Sequence, residues 1–505
     1  MIKNLTIENA NMIATSTQGY GAFVNCADAM DVITLINCHL KNSTITTPNN
    51  GQAESRIGGL VGWTAGYNNQ NDGPVDSYIT IQNCSVTGCT FTGWGSIGGI
   101  CGHAGANEAT FTTIENCTIT NNKFISTDDG GWRTGVVVGT ANNGQCVIKN
   151  ITESGNTLTQ TNADDIKNPE GAKRNYFGRF VPAGTGSLTI DGVAVEAGYW
   201  PYAAGMRINE KAKCYDITAE GLNTLRDLVN AGSAFSGKTI RLTEDVDLNN
   251  AEWTPIGNSA NKFQGTFDGN NKTISNLVIT GNKSDVGLFG MTTNGEIKNL
   301  TVNNAKVSGY LDVAVVAGTP YTSKYTNIKV TGHVEVNGFA YVGAVGGKNA
   351  YANWTDVTVD VDETSYVNAN SVDNGTAYRT YVGGVCGFNG EGGHSFQNIS
   401  SNIDVTGSTI DVGGLFGIAH YGNSFVNCSC SGDVEITAAT EAADAEEMGG
   451  IAGVWHNQNG TKVTFEGCSF TGTLKANITE GVDLSDNTIV GKAYSASGTG
   501  ELIIK

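Results

Sequence analysis

Proline, histidine and positive charge are all scarce in this chain, and each shortage excludes something. Seven prolines in 505 residues leave nearly every backbone N–H able to donate, so long hydrogen-bonded ladders are permitted. The 29 Lys and Arg stand against 48 Asp and Glu, a formal charge of −19. That balance argues against a nucleic-acid partner and against an anionic membrane surface, because this exterior could neutralise neither polyanion. No run of eighteen apolar residues occurs, so no membrane-inserted helix is expected, and neither a signal peptide nor a lipidation signal is visible. The six histidines (His39, His103, His333, His394, His420 and His456) show no zinc-helix spacing, and no Cys-x-x-Cys pair exists. Without a nucleophile elbow, a phosphate loop or a dinucleotide fingerprint, neither metal, cofactor nor catalytic set is expected.

What is abundant is repetition. Thirteen times the chain repeats an apolar residue, a spacer, then Asn, Asp or Gly, then an apolar residue or Cys, usually with another apolar residue two further on. The third slot falls at Asn4, Asn37, Asn83, Asn116, Asn150, Gly192, Asn276, Asn299, Asn327, Asp356, Asn398, Asn427 and Gly467. Only these three residue types enter the left-handed region at small cost, so the slot predicts an αL bend. Because Gly192 and Gly467 keep the bend without an amide, the side chain is read as optional. Apolar steps of three and then two predict a bulged strand with three residues of each phrase facing inward.

A second, glycine-bearing phrase alternates with the first: IGGLVGW from Ile57, IGGICGH from Ile97, VGLFG from Val286, VGAVGG from Val342, VGGVCG from Val382, VGGLFG from Val412 and MGGIAG from Met448. Looser copies lie at Gly135, Gly178, Val313 and Val490. Copies lie 27 to 43 residues apart except between 178 and 287. Such a period, in units too short and too rich in Gly, Asn and Thr for helix pairs, predicts an all-β right-handed parallel β-helix, or β-solenoid, whose repeats bury their core against their neighbours.

One segment breaks the pattern. YDITAEGLNTLRDLVNAG, 215–232, predicts a capping helix over about 217–231, with Thr218 as N-cap, an apolar stripe of Leu222, Leu225, Leu228 and Val229, and Gly232 at its end. The expected organisation is therefore a first array over 1–198, a junction and helical cap over 199–232, and a second array over 233–505. The first array opens in mid-repeat, since IKNLTI at 2–7 nearly copies IKNLTV at 297–302, and ELIIK runs out in a strand-like pattern at Lys505. This predicts a piece of a longer polypeptide or an end covered by a partner; the alternative is a small unrecognised cap.

The VGLFG and GGLFG strings, with AEWTPIG at 251–257 and KFQGTFDGNNKTISNL at 262–277, resemble the GLUG motif and the start of GLUG-type β-helix regions in large bacterial cell-surface and secreted proteins. Gly135, Gly178 and Ala314 depart from that pattern. The resemblance implies a bacterial surface or extracellular location and a stalk or adhesive role, although such regions also accompany enzymes such as peptidases.

Cys38, Cys84, Cys117, Cys428 and Cys468 occupy the slot filled by Leu5, Leu277 and Leu300, and Cys101 and Cys386 sit where Val61, Phe416 and Ala452 sit. They are read as small apolar residues, buried and reduced. Parallel stacking sets equivalent Cβ atoms side by side rather than facing, which disfavours bridges. The best paired carboxylates, Asp128/Asp129 and Asp164/Asp165, lie in polar stretches and read as solvated loops.

Trp63, His103, Phe388, His420, Trp455 and His456 follow the glycine phrase at its exit. They are the candidate binding residues, an aromatic and imidazole ridge for a cell-surface glycan or protein; the alternative is that they close the turn and cover the core edge. Two functions remain: a non-enzymatic adhesin or stalk, and a carbohydrate-active β-helix enzyme, which needs converging carboxylates.

Overall fold

The computed structural model describes the chain except residues 15–18, 28–31, 48–54, 66–67, 70–72, 75, 128–132, 161–175, 181, 183–184, 196–198, 204, 210–211, 374–375, 378, 391, 439–441, 478–482 and 495–497. Both acidic pairs, Asp128/Asp129 and Asp164/Asp165, lie outside the described residues. The chain divides into two units, Met1–Lys213 and Cys214–Lys505.

In the first unit each repeat supplies one short strand to each of several parallel sheets, and sheet order follows sequence order. One sheet runs Ile2–Lys3, Val32–Ile36, Ser77–Gln82, Thr110–Glu115, Gln145–Lys149 and Ser187–Ile190, with Val193–Ala194 added antiparallel. Others collect the strands that follow the αL bends, such as His39–Lys41, Ser85–Thr87 and Thr118–Thr120. A further sheet holds the glycine-phrase strands Val24–Ala27, Val61–Thr64, Cys101–Ala104, Val138–Ala141 and Phe177–Phe180. Pairing is in register, so equivalent residues face each other: Leu35 with Ile81, Ile81 with Ile114, and Ile114 with Ile148. The antiparallel pair Tyr199–Ala203 and Met206–Asn209 ends this unit.

The second unit begins with the strand Cys214–Ile217 and the helix Ala219–Asn230. Thr218 caps the helix by accepting from the Gly221 N–H at 3.4 Å, Leu222, Leu225, Leu228 and Val229 are buried, and Gly232 follows at φ 109°. Longer strands then stack in parallel: Thr266–Ile279, Glu296–Ser308, Lys324–Gly338, Trp354–Val361 and Ser395–Ser401. The first slot of the phrase becomes a buried aromatic column, Tyr325, Trp354, Phe396, Phe425 and Phe465, with rings 4.8 to 6.1 Å apart.

All thirteen αL slots have positive φ, from 48° at Asn150 to 83° at Gly192. Inside the stacks three residues per phrase point inward, for example Leu35, Cys38 and Leu40, each 0% exposed. Where no described repeat lies beyond, the same slots open: Leu5 and Val193 are exposed. The side chains add what the backbone argument omitted. Asn37 donates to Asn4, Asn150 to Asn116, Asn299 to Asp268, Asn327 to Asn299, Asn398 to Asp356 and Asn427 to Asn398, at 2.7 to 3.3 Å. The amide is thus dispensable for the bend but bridges repeats where present.

A second bend, five residues after the first, also carries positive φ: Asn9, Asn42, Gly88, Asn121 and Gly155 in the first unit, Gly281, Asn304 and Gly332 in the second. The glycine phrase exists because backbones meet there. A Cβ on Gly347 would collide with the backbone of Asp312 and Val313 in the preceding repeat, and one on Gly102 would lie 2.7 Å from the carbonyl carbons of Arg56 and Ile57. All twelve cysteines are free thiols, ten of them buried.

Candidate functional site

The six residues read as a ridge divide between the two units, and the four in the second do not share one register position. Trp63 and His103 belong to the first unit, where they are register partners on neighbouring strands. The Arg56 guanidinium lies 4.4 Å from the centre of the Trp63 ring, and its Nε donates to His103 Nδ1 at 3.1 Å. His103 is buried and Trp63 half-buried, so this pair covers the core edge as much as it faces outward. In the second unit Phe388 pairs in register with Lys348, and Trp455 with Ala419. His420 and His456 meet through Nε2 and Nδ1 at 3.0 Å, between Tyr421 and Tyr494. Burial lowers His420 to about 4, with the His456 charge acting the same way, and burial also lowers His456. Both imidazoles are therefore neutral near pH 7.

A larger constellation surrounds Phe388, and it comes from a column that the sequence phrases skip. The residue just before the glycine phrase is Asp285, Asp312, Tyr341, Tyr381, Asp411 and Glu447 in successive repeats, placed in line by the pairing of the valines and methionine that follow them. The first five have positive φ, 56°, 57°, 58°, 45° and 63°. Asp tolerates that region; Tyr does so only against strain. Tyr341 and Tyr381 stack at 5.3 Å and 10°, and Phe388 meets both rings edge-on at 5.6 and 5.2 Å. Lys348 Nζ lies 5.4 Å from the Tyr341 ring centre.

Beside this stack opens a cleft of about 370 Å³, lined by Tyr310, Leu311, Phe339, Ala340, Tyr341, Arg379 and Tyr381. Tyr310 and Phe339 pack at 4.9 Å as a second aromatic pair. Arg379 reaches the cleft from a base of buried acid. Its Nη1 donates to both oxygens of Asp411 at 2.7 and 2.6 Å and to Glu447 at 3.1 Å, and its guanidinium lies 4.6 Å from the Tyr494 ring centre. Burial pulls the guanidinium down, but Asp411 and Glu447 outweigh it and hold its pKa above the ordinary value. Burial pushes the Asp411 pKa up against the attraction of Arg379, with Glu447 adding to the rise.

At the other end of the column Asp312 is half-buried, and its Oδ1 has no hydrogen-bond partner among the described residues. Burial and the neighbouring Asp285 raise it to about 7, with Lys348 opposing. Asp285 accepts from the Thr319 hydroxyl at 2.5 Å. Among the described residues no group of three or more His, Cys, Asp or Glu could hold a metal ion, and no helix is long and apolar enough to cross a membrane.

The column was missed because Tyr carries no identity signal for positive φ. The available signal was positional: in the second unit one residue always precedes the Val or Met that opens the phrase, and in five repeats it is Asp or Tyr.

No protein-family model matches the chain. Halomucin of Haloquadratum walsbyi is 36% identical over 152 residues, 28% of this chain and 2% of that protein. A protein of Evansella cellulosilytica named "Putative Gly-rich membrane protein" is 33% identical over 108 residues, 20% of this chain and 12% of that protein. The chain therefore spans only a small part of either relative. The crystal structure of a "putative immunoglobulin A1 protease" from Bacteroides ovatus aligns with a TM-score of 0.36 at 16% identity, covering 58% of this chain and 84% of that one.

Proposed function

We propose that the chain is a non-enzymatic cell-surface or secreted repeat protein, a right-handed parallel β-helix in two arrays that serves as an adhesin or stalk and binds a glycan or host surface. The helix Ala219–Asn230 then caps the second array, and the GLUG-like strings belong to the surface-protein regions that they resemble. The observation that carries this reading is the columnar exterior: equivalent residues of successive repeats stand in line, as at the exposed Asp356, Asn398 and Asn427. Such an exterior gives an extended surface for repetitive or elongated ligands. The partial likeness to halomucin and to a Gly-rich membrane protein fits a surface or secreted protein. Antibody labelling of intact producing cells, or detection in their medium, tests the location. Signal only after permeabilisation would overturn it.

A second reading, a carbohydrate-active β-helix enzyme, is favoured by Asp285 and Asp312. These are carboxylates of adjacent repeats, and one of them is raised to about 7, as a general acid requires. Incubation with neutral and acidic polysaccharides separates the two. New reducing or unsaturated ends that disappear in Asp312→Asn would establish the enzyme, and their absence from the native protein leaves the adhesive reading in place.

A further inference from the structure

We infer that the cleft between Tyr310/Phe339 and Tyr341/Tyr381 is a binding site for neutral, uncharged oligosaccharide, with Arg379 as its hydrogen-bond donor. This rests on the adhesive reading and deepens it by naming the site and the ligand class.

Three independent observations converge. The first is strain. In a column where αL backbone is required, Asp serves at 285, 312 and 411, yet Tyr stands at 341 and 381 with φ 58° and 45°. A bulky residue held in that region marks a side chain kept for what it presents. The two strained rings are the ones that form a wall of the cleft.

The second is the state of Arg379. Both buried carboxylates bind the single nitrogen Nη1, while Nε and Nη2 have no hydrogen-bond partner among the described residues. Held by Asp411 and Glu447 and stacked on Tyr494, the guanidinium is pre-oriented, and its side chain remains 32% exposed. It offers two parallel donors to vicinal hydroxyl or ring oxygens.

The third is charge, which selects among oxygen-rich ligands. The Arg379 cation is already matched by Asp411 and Glu447, Glu447 is shared with Lys492 at 3.5 Å, and the chain carries −19 overall. A ligand carboxylate or sulfate would displace no water from a free cation and would meet two buried acids, so an acidic glycan is disfavoured. A neutral sugar faces no such penalty. Its C–H faces fit the aromatic walls, and its hydroxyls can meet the Arg379 donors and the tyrosine hydroxyls. Tyr310, 38% exposed at the rim, would cover a bound ring from outside.

The test uses the full chain immobilised against two panels: neutral hexasaccharides of glucose, mannose and xylose, and acidic oligosaccharides from polygalacturonate, alginate and hyaluronan. The expected result is binding of at least one neutral probe, nearly unaffected by raising salt. It should weaken about tenfold or more in Tyr310→Ala, which removes an exposed rim ring. Arg379→Lys keeps the charge opposite Asp411 and Glu447 but loses the forked donors, and should weaken it by a similar factor. Unchanged melting temperature in Tyr310→Ala shows that the loss is local. Tighter binding of acidic than neutral probes overturns the inference, as does neutral binding unaffected by Tyr310→Ala. Failure to bind any glycan by a protein that still adheres to host cells overturns this site while leaving the adhesive reading intact.

Discussion

Asn299 shows how a single residue serves two purposes in this chain. At φ 52° it makes the bend, and its amide bridges three repeats, donating to Asp268 at 3.0 Å and accepting from Asn327 at 3.0 Å. Asn299→Ala loses both, an αL penalty and the bridging bonds, and should cost about 2 kcal/mol. Asn299→Gly keeps the bend and should cost about 1 kcal/mol. Denaturant titration measures the pair, and equal losses would mean that the amide ladder alone matters. The histidine pair sets a pH dependence. Burial lowers the folded-state pKa of His420 to about 4 and lowers that of His456, so between roughly 6.5 and 4 the unfolded chain binds more protons. Stability should therefore fall as pH drops through that window, and His420→Phe should flatten the slope measured between pH 7 and 4.5. The thirteen first bends were legible because only Asn, Asp and Gly fill the slot. The second bends at Asn9, Asn42, Gly88, Asn121 and Gly155 use the same residue types, but they sit beyond the apolar phrase that marked the first. The bends at Tyr341 and Tyr381 were illegible, since the residue type contradicts the conformation.

At the scale of elements, close backbone approach explains why the strands of the glycine phrase read as they do. Gly347 lies on Gly346–Ala350, directly against the backbone of Asp312 and Val313. Gly347→Ala forces those strands apart and should destabilise by about 2 kcal/mol, measured by denaturant titration, although only one methyl group is added. The helix was the most legible element: its N-cap, its apolar stripe and Gly232 after its end all stand where local signals put them. The division at 213/214 leaves the antiparallel pair 199–209 in the first unit and the helix in the second. The ridge of Trp63, His103, Phe388, His420, Trp455 and His456 was read from distance along the phrase. The strands instead place His420 and His456 two residues beyond the position matching Phe388, so that they meet each other through their ring nitrogens.

Across the whole molecule, twelve free thiols in a chain read as extracellular form a checkable pattern. Thiol counting under denaturing, non-reducing conditions should find all twelve; fewer than about ten would mean that neighbouring repeats are cross-linked despite their parallel Cβ vectors. The sequence by itself determined the period, the inward-facing residues and the first set of bends, because these follow from local sterics and from apolar spacing that every repeat must satisfy alone. Only the tertiary structure decided which outward side chains become neighbours. Tyr310, Tyr341 and the Arg379/Tyr381 pair come from three different repeats separated by inserts of unequal length, and nothing local predicts that Nη1 of Arg379 is engaged by Asp411 and Glu447 while the side chain also lines the cleft. Core positions are fixed by period. Surface sites are fixed by register between repeats, which exists only once the strands have stacked.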